Sequence, residues 1–165
     1  MKKVLIVAVG LLFFSGCAGT GYHAVGFTGG YTDVKIQDGI FRVSFRGNSF
    51  ISKDKVQNLA LLRSAEVALE NGYSYFVVLE GESGTNQVLY TTPMTSRTYG
   101  TVNTYGSSGT YQGNTTYSGG QTYSFNKPQT ILMIKGFKEK PEVSSSIIYD
   151  AEQIKTNLKK QYKIK

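Results

Sequence analysis

The feature that most constrains this chain is a six-residue repeat. Thr98-Tyr99, Thr104-Tyr105, Thr110-Tyr111, Thr116-Tyr117 and Thr122-Tyr123 recur at even spacing, with Gly, Ser, Asn and Gln filling most of the gaps. Such a stretch holds too few aliphatic side chains to bury a core. Six is an even number, so an extended run puts its tyrosines on one face and its threonines on the other. Thr and Tyr favour strands and the glycines permit a turn, which predicts a long hairpin bending near Gly106 to Gly113. A six-residue β-helix coil is a poor fit, because its interior needs aliphatic residues. The polar insertion runs from about Gly84 to Lys127. The core must come from the segments on either side of it.

Those segments carry conventional patterns. Tyr31 to Ile36 and Ile40 to Arg46 read as strands joined by Gln37-Asp38-Gly39, a hairpin signal. In the second strand Phe41, Val43 and Phe45 alternate with Arg42, Ser44 and Arg46, giving one buried face and one basic, solvated face. A helix follows, capped by Ser52 and stopped by Asn71-Gly72. Leu61, Leu62, Ala65, Ala68 and Leu69 share one of its faces, and Val56, Ala60 and Val67 share another. Lys55, Arg63, Glu66 and Glu70 form a polar strip between them. A helix apolar on two sides should be covered on two sides, by the sheet and by the last helix. Tyr73 to Leu79 and Ile131 to Phe137 read as central strands buried on both faces. Asp150 caps a final helix with Ala151, Ile154, Leu158 and Tyr162 on one face. Lys155, Lys159, Lys160 and Lys163 crowd its second half, where cations suit the helix dipole. The prediction is an α+β domain over residues 31–165. It has a small, mostly antiparallel sheet packed with two helices, and a β-hairpin-like or disordered insertion.

The amino terminus is of another kind. Lys2 and Lys3 precede an apolar run from Val4 to Phe14. That run is too short to cross a bilayer, whose core takes about 20 helical residues, and has the build of a secretory signal. It ends in Phe14-Ser15-Gly16-Cys17, which resembles the bacterial lipobox, with Phe14 where Leu is usual. Residues 1–16 are then a signal peptide, and Cys17 carries a diacylglycerol and an amide-linked acyl chain such as palmitate. Each buried CH₂ of such chains contributes ~0.8 kcal/mol, so two or three chains hold for good. Cys17 is the one cysteine in the chain, which excludes a disulfide framework or a cysteine metal cluster. By resemblance to the sorting rule of two-membrane bacteria, Ala18 in place of Asp after the cysteine directs the protein to the periplasmic face of the outer membrane. Ala18 to Gly30 is rich in glycine, so residues 17–30 read as the lipidated cysteine and a flexible tether.

The residue types restrict the chemistry. His23, the lone histidine, lies in that tether, so Ser–His and Cys–His pairs and the usual zinc sites are excluded from the domain. No phosphate-cradling loop is present, and the sequence calls for no cofactor or metal. Glu80 and Glu82 are the best carboxylate pair, yet two acids at a strand end are most often solvated residues. Arg63 and Glu66, one turn apart, suggest a partly buried ion pair that orients the helix. Removing Lys2 and Lys3 from the chain's net charge of +7 leaves +5, too little to argue for nucleic acid. A basic surface beside anionic lipid or cell-wall polymer fits better.

Phe45-Arg46-Gly47-Asn48, Leu61-Leu62-Arg63-Ser64-Ala65-Glu66 and Gly72-Tyr73-Ser74-Tyr75-Phe76 give a further resemblance. Their order and spacing resemble those of a family of small, uncharacterised bacterial lipoproteins, which also carry a lipobox and a Thr/Tyr/Gly-rich stretch before a closing strand. The resemblance implies a cell-envelope lipoprotein with a small domain of helices and strands, and adds nothing about activity. Three readings follow. One is a non-enzymatic envelope protein whose tyrosines Tyr99, Tyr105, Tyr111, Tyr117 and Tyr123 contact a partner protein. The second is a peptidoglycan-binding module in which those rings stack on sugars. The third is a weak hydrolase built on Glu80 and Glu82.

Overall fold

The computed structural model describes residues 21–142 and 146–165. The expected signal peptide, Cys17 and Ala18 lie outside the described residues. The chain forms two compact units, one reaching to Asn86 and resuming at Asn126, the other spanning Gln87–Phe125.

The first unit is α+β. Five strands make its sheet: β1 (Gly30–Gln37), β2 (Ile40–Arg46), β3 (Tyr75–Thr91), β6 (Thr122–Phe137) and β7 (Ile148–Asp150), in the order β1-β2-β6-β3-β7. Strands β1 and β2 form the expected Asp-Gly hairpin, with Asp33 opposite Val43 and Gly39 at a positive φ of 73°. Strand β2 pairs antiparallel with β6, setting Phe41 against Ile134 and Val43 against Leu132. Alternation therefore collects Phe41, Val43, Phe45 and Ile134 on one face, where all are buried.

Helix α1 (Lys53–Glu70) covers that face. Ser52 caps it by accepting from the Lys55 N–H, as its hydroxyl type predicts. Gly47 precedes it because no side chain fits there: a Cβ would lie 2.2 Å from Ile51 Cγ2 and 2.9 Å from Val56 Cγ2. Helix α2 (Ala151–Tyr162) is capped by the Asp150 carboxylate and packs on α1. Ala151 clusters with Ala65 and Ala68, while Asn58 donates to the Tyr162 hydroxyl, so the two helices run in opposite directions. The doubly apolar α1 is thus covered on both sides.

The expectation that β3 and β6 are buried on both faces holds only in part. Phe76 and Val77, on opposite faces of β3, are both buried, but Ile131 and Met133 of β6 are half-buried and Leu79 is exposed. Both helices lie against one face of the sheet, and the other presents Val34, Ile36, Arg42 and Arg46 to solvent. Length and hydrophobicity mark a central strand, but not which of its faces a helix reaches.

The second unit is a β-ribbon. Strand β4 (Thr95–Tyr105) pairs antiparallel with β5 (Ser108–Ser118) from Thr95↔Ser118 to Tyr105↔Ser108. The turn is Gly106-Ser107, with Gly106 at φ 61° and Ser107 at an ordinary negative φ, as a tight hairpin with Gly in its first position requires.

Candidate functional site

The ribbon displays most of the repeat. Within each strand the six-residue spacing keeps the tyrosines on one side, but the two-residue turn inverts that side between strands. Val102 is opposite Tyr111 and Tyr99 is opposite Asn114, so odd residues of β4 share a face with even residues of β5. Tyr99 and Tyr105 therefore stand on one face with Thr110 and Thr116. Tyr111 and Tyr117 stand on the other with Thr98 and Thr104. The one-sided array that the spacing suggests becomes two equivalent faces.

No apolar core supports these rings. Every residue of β4 and β5 is exposed, and Tyr105 beside the turn is 94% exposed. The ribbon is held by backbone pairing and by contacts such as the Thr98–Thr115 hydroxyl bond at 2.8 Å. Tyr111 is the exception to free display. Its ring lies over the directly opposed Gly100 and Gly113, where an added Cβ would meet it at 2.3 and 2.6 Å. An aromatic ring over paired glycines replaces the side-chain contacts they lack. Tyr123 is 47% exposed and donates to Gln121 Oε1 at 2.8 Å. Arg97 is the sole charged residue between Gln87 and Phe125.

The second constellation lies in the first unit, around Arg63. Its guanidinium meets Asp33 Oδ1 at 2.9 Å, Glu66 Oε2 at 3.4 Å and both oxygens of Glu70 at 2.8 and 3.0 Å. It also sits 4.6 Å from the centre of the Tyr31 ring. Glu66 accepts in addition from the Tyr22 hydroxyl and pairs with Lys159 Nζ at 3.2 Å. Burial disfavours the charged guanidinium, but the hydrogen bonds it donates to Asp33 and Glu70 outweigh it and raise the Arg63 pKa. Tyr22 is pushed far above the ordinary tyrosine value, first by burial and then by its bond to Glu66. Three carboxylates face two cations and a neutral phenol, so the network locks β1, α1 and α2 together. The sequence shows the Arg63–Glu66 pair but not Asp33, Tyr22 or Lys159, which lie far off in the chain.

Tyr22 narrows the reading of residues 17–30 as a flexible tether: in the described part, 21–30, this residue packs on the domain. Its ring stacks on Phe45 and tilts against Tyr31 at 5.0 Å, and the Tyr31 N–H donates to the His23 carbonyl. The chain is therefore fixed from Tyr22 onward, because an amphipathic ring found an aromatic pocket that glycine content does not reveal. His23 itself is exposed and turned to Ala24 O and Thr28.

Glu80 and Glu82 are both exposed on β3. Val78 packs on the core, yet so does the direction of Gly81, whose Cβ would point at Leu132, so strand alternation shifts by one between them. Glu82 consequently lines a small open groove of 90 Å³ with Asn86 and Gln129. Glu80 does not line that groove, so the groove does not bring the two carboxylates together. Among the described residues, no three His, Cys, Asp or Glu side chains gather as metal ligands would.

No family model, curated protein or solved structure matches this chain.

Proposed function

We propose that this chain is a membrane-anchored cell-envelope lipoprotein with a non-enzymatic interaction role, in which the ribbon is the contact element. The observation that carries the reading is the display of Tyr99, Tyr105 and Tyr117 on a ribbon without a core. Exposed amphipathic rings in rows are poor core and good contact surface. The Phe14-Ser15-Gly16-Cys17 pattern and the resemblance to small envelope lipoproteins support the anchor, and Ala18 supports the outer membrane in a two-membrane host.

A photoreactive group at Tyr105, activated in living cells, tests the contact. Discrete adducts with an envelope protein support the reading, and adducts with peptidoglycan favour the sugar-stacking version of it. A ribbon that crosslinks to nothing overturns it. The mass of the amino-terminal peptide tests the anchor separately: an unmodified Cys17 removes the lipoprotein.

A further inference from the structure

Lysines surround Gly21 and Tyr22. Gly21 and Tyr22 line a 320 Å³ groove together with Lys55, Tyr162, Lys163 and Lys165, and no acidic residue lines it. Lys55 of α1 is held there with its ammonium 5.5 Å from the centre of the Tyr162 ring. Lys163 is placed by the helix end: it takes the left-handed conformation at φ 53°, and the Ile164 N–H then donates to Lys159 O at 2.9 Å. Ile164 turns inward to the core, which leaves Lys163 and Lys165 outward on either side of it.

A neighbouring groove shares Tyr22, Ile164 and Lys165 but carries acids as well. There Arg63 and Lys159 meet Glu66, and Arg63 meets Glu70. Among the described residues, no ion pair engages Lys55, Lys163 or Lys165. Of the two grooves, the first is the one lined by lysines with no acidic side chain beside them.

The short distance along the chain from Cys17 to Tyr22 says what covers this surface. Cys17 lies five residues before Tyr22, and five residues span at most about 18 Å. Tyr22 is fixed by Phe45, Tyr31 and Glu66. Acyl chains on Cys17 would thus hold the groove within about two Debye lengths of the headgroups, at ~8 Å each in physiological salt. Charge would draw it the rest of the way.

We propose that the groove formed by Tyr22, Lys55, Lys163 and Lys165 docks on anionic phospholipid headgroups and seats the domain on the membrane that holds its anchor. The leash rests on the lipoprotein reading; the affinity of the groove for anionic lipid does not.

The test uses the chain from Cys17 onward carrying Cys17→Ser, which has no acyl chain, sedimented with vesicles of mixed phosphatidylglycerol and phosphatidylcholine or of phosphatidylcholine alone. Expected is salt-sensitive binding to the anionic vesicles and none to the neutral ones. Each lysine near an anionic surface is worth about fivefold in affinity, so Lys55→Gln, Lys163→Asn and Lys165→Gln together should weaken binding about a hundredfold. Lys163→Asn alone keeps a residue that tolerates the left-handed cap and should cost about fivefold with no change in melting temperature. Lys138→Gln with Lys140→Gln, outside the groove, should change nothing. Equal binding to both vesicles, or full binding by the triple variant, overturns the proposal. Preference for anionic vesicles alongside an unmodified Cys17 in cells overturns the lipoprotein reading and leaves the groove standing.

Discussion

The two units of this protein use aromatic side chains in opposite ways. In the first, rings meet one another: Tyr22 with Tyr31 and Phe45, Phe41 with Tyr73, and Phe76 with Tyr149. In the ribbon Tyr99, Tyr105 and Tyr117 point into solvent on both faces, at 69, 94 and 69% exposure. Burial holds the first unit, whereas backbone pairing holds the second. A two-stranded ribbon is marginal by itself, so its sequence answers to something other than packing. The contrast teaches that the same residue type marks a core in one stretch and a surface in another. Aliphatic neighbours decide which.

The largest effect is expected where burial is complete. Leu62 is fully buried between the sheet and α2, in the cluster with Phe45, Leu59 and Leu158. Leu62→Ala should cost about 2–5 kcal/mol in chemical denaturation of the first unit. A loss under ~0.5 kcal/mol would show that burial does not hold this unit.

Next comes the charge network. Arg63→Met leaves Asp33, Glu66 and Glu70 short of their shared cation. The Arg63 and Glu66 side chains are 12 and 11% exposed, but Glu70 is 54% exposed and its share is screened. The expected loss is about 2 kcal/mol, below the range for a fully buried pair. Adding Glu70→Gln to Arg63→Met should cost little more, because its partner is already gone. Additive losses would mean that Glu70 does not act through Arg63.

Tyr22 gives a smaller, pH-dependent effect. Tyr22→Phe keeps the ring contacts and removes the bond to Glu66, for an expected loss of about 1.5 kcal/mol at pH 7, since the acceptor is charged. In the folded chain burial and Glu66 raise the Tyr22 pKa well above its ordinary value. A raised value stabilises fully below the unfolded pKa near 10, and that contribution is lost as pH climbs past it. Wild-type stability should therefore fall between pH 9 and pH 11 more steeply than that of Tyr22→Phe. Parallel curves would show that the phenol is not held in its neutral form.

Much of the first unit is legible in the sequence because its signals are local. Asp38-Gly39, the Ser52 and Asp150 caps and the alternation of Phe41, Val43 and Phe45 each act within a few residues. What is not legible depends on pairing between distant segments. Tyr22 reads as tether because nothing near it in sequence shows that Phe45, Tyr31 and Glu66 converge on it. The half-buried Ile131 and Met133 read as doubly buried because strand hydrophobicity does not count the helices. In the ribbon, the period of six gives the side of each tyrosine within its strand. The turn at Gly106-Ser107, one residue longer or shorter, would reverse the side of its partner strand, so the two-faced display follows from the turn alone.

The smallest expected effect is on the stability of the first unit when the ribbon is shortened. Deleting Thr95 to Ser118 removes β4, the turn and β5, and brings Pro93-Met94 next to Gly119-Gly120. Those four residues suffice to close a hairpin, and the pairing of Thr92 with Gln121 beneath them is retained. Loop-closure entropy changes slowly with length, and no side chain from Thr95 to Ser118 is buried. Denaturation of the first unit should thus shift by less than ~0.5 kcal/mol. The same deletion should abolish the in-cell crosslinks, here read from a photoreactive group moved to Tyr90. A destabilised first unit would mean that the ribbon supports the core, and the contrast between the units would fail. Unchanged stability with unchanged crosslinks would leave the repeat without a contact role, however many tyrosines it displays.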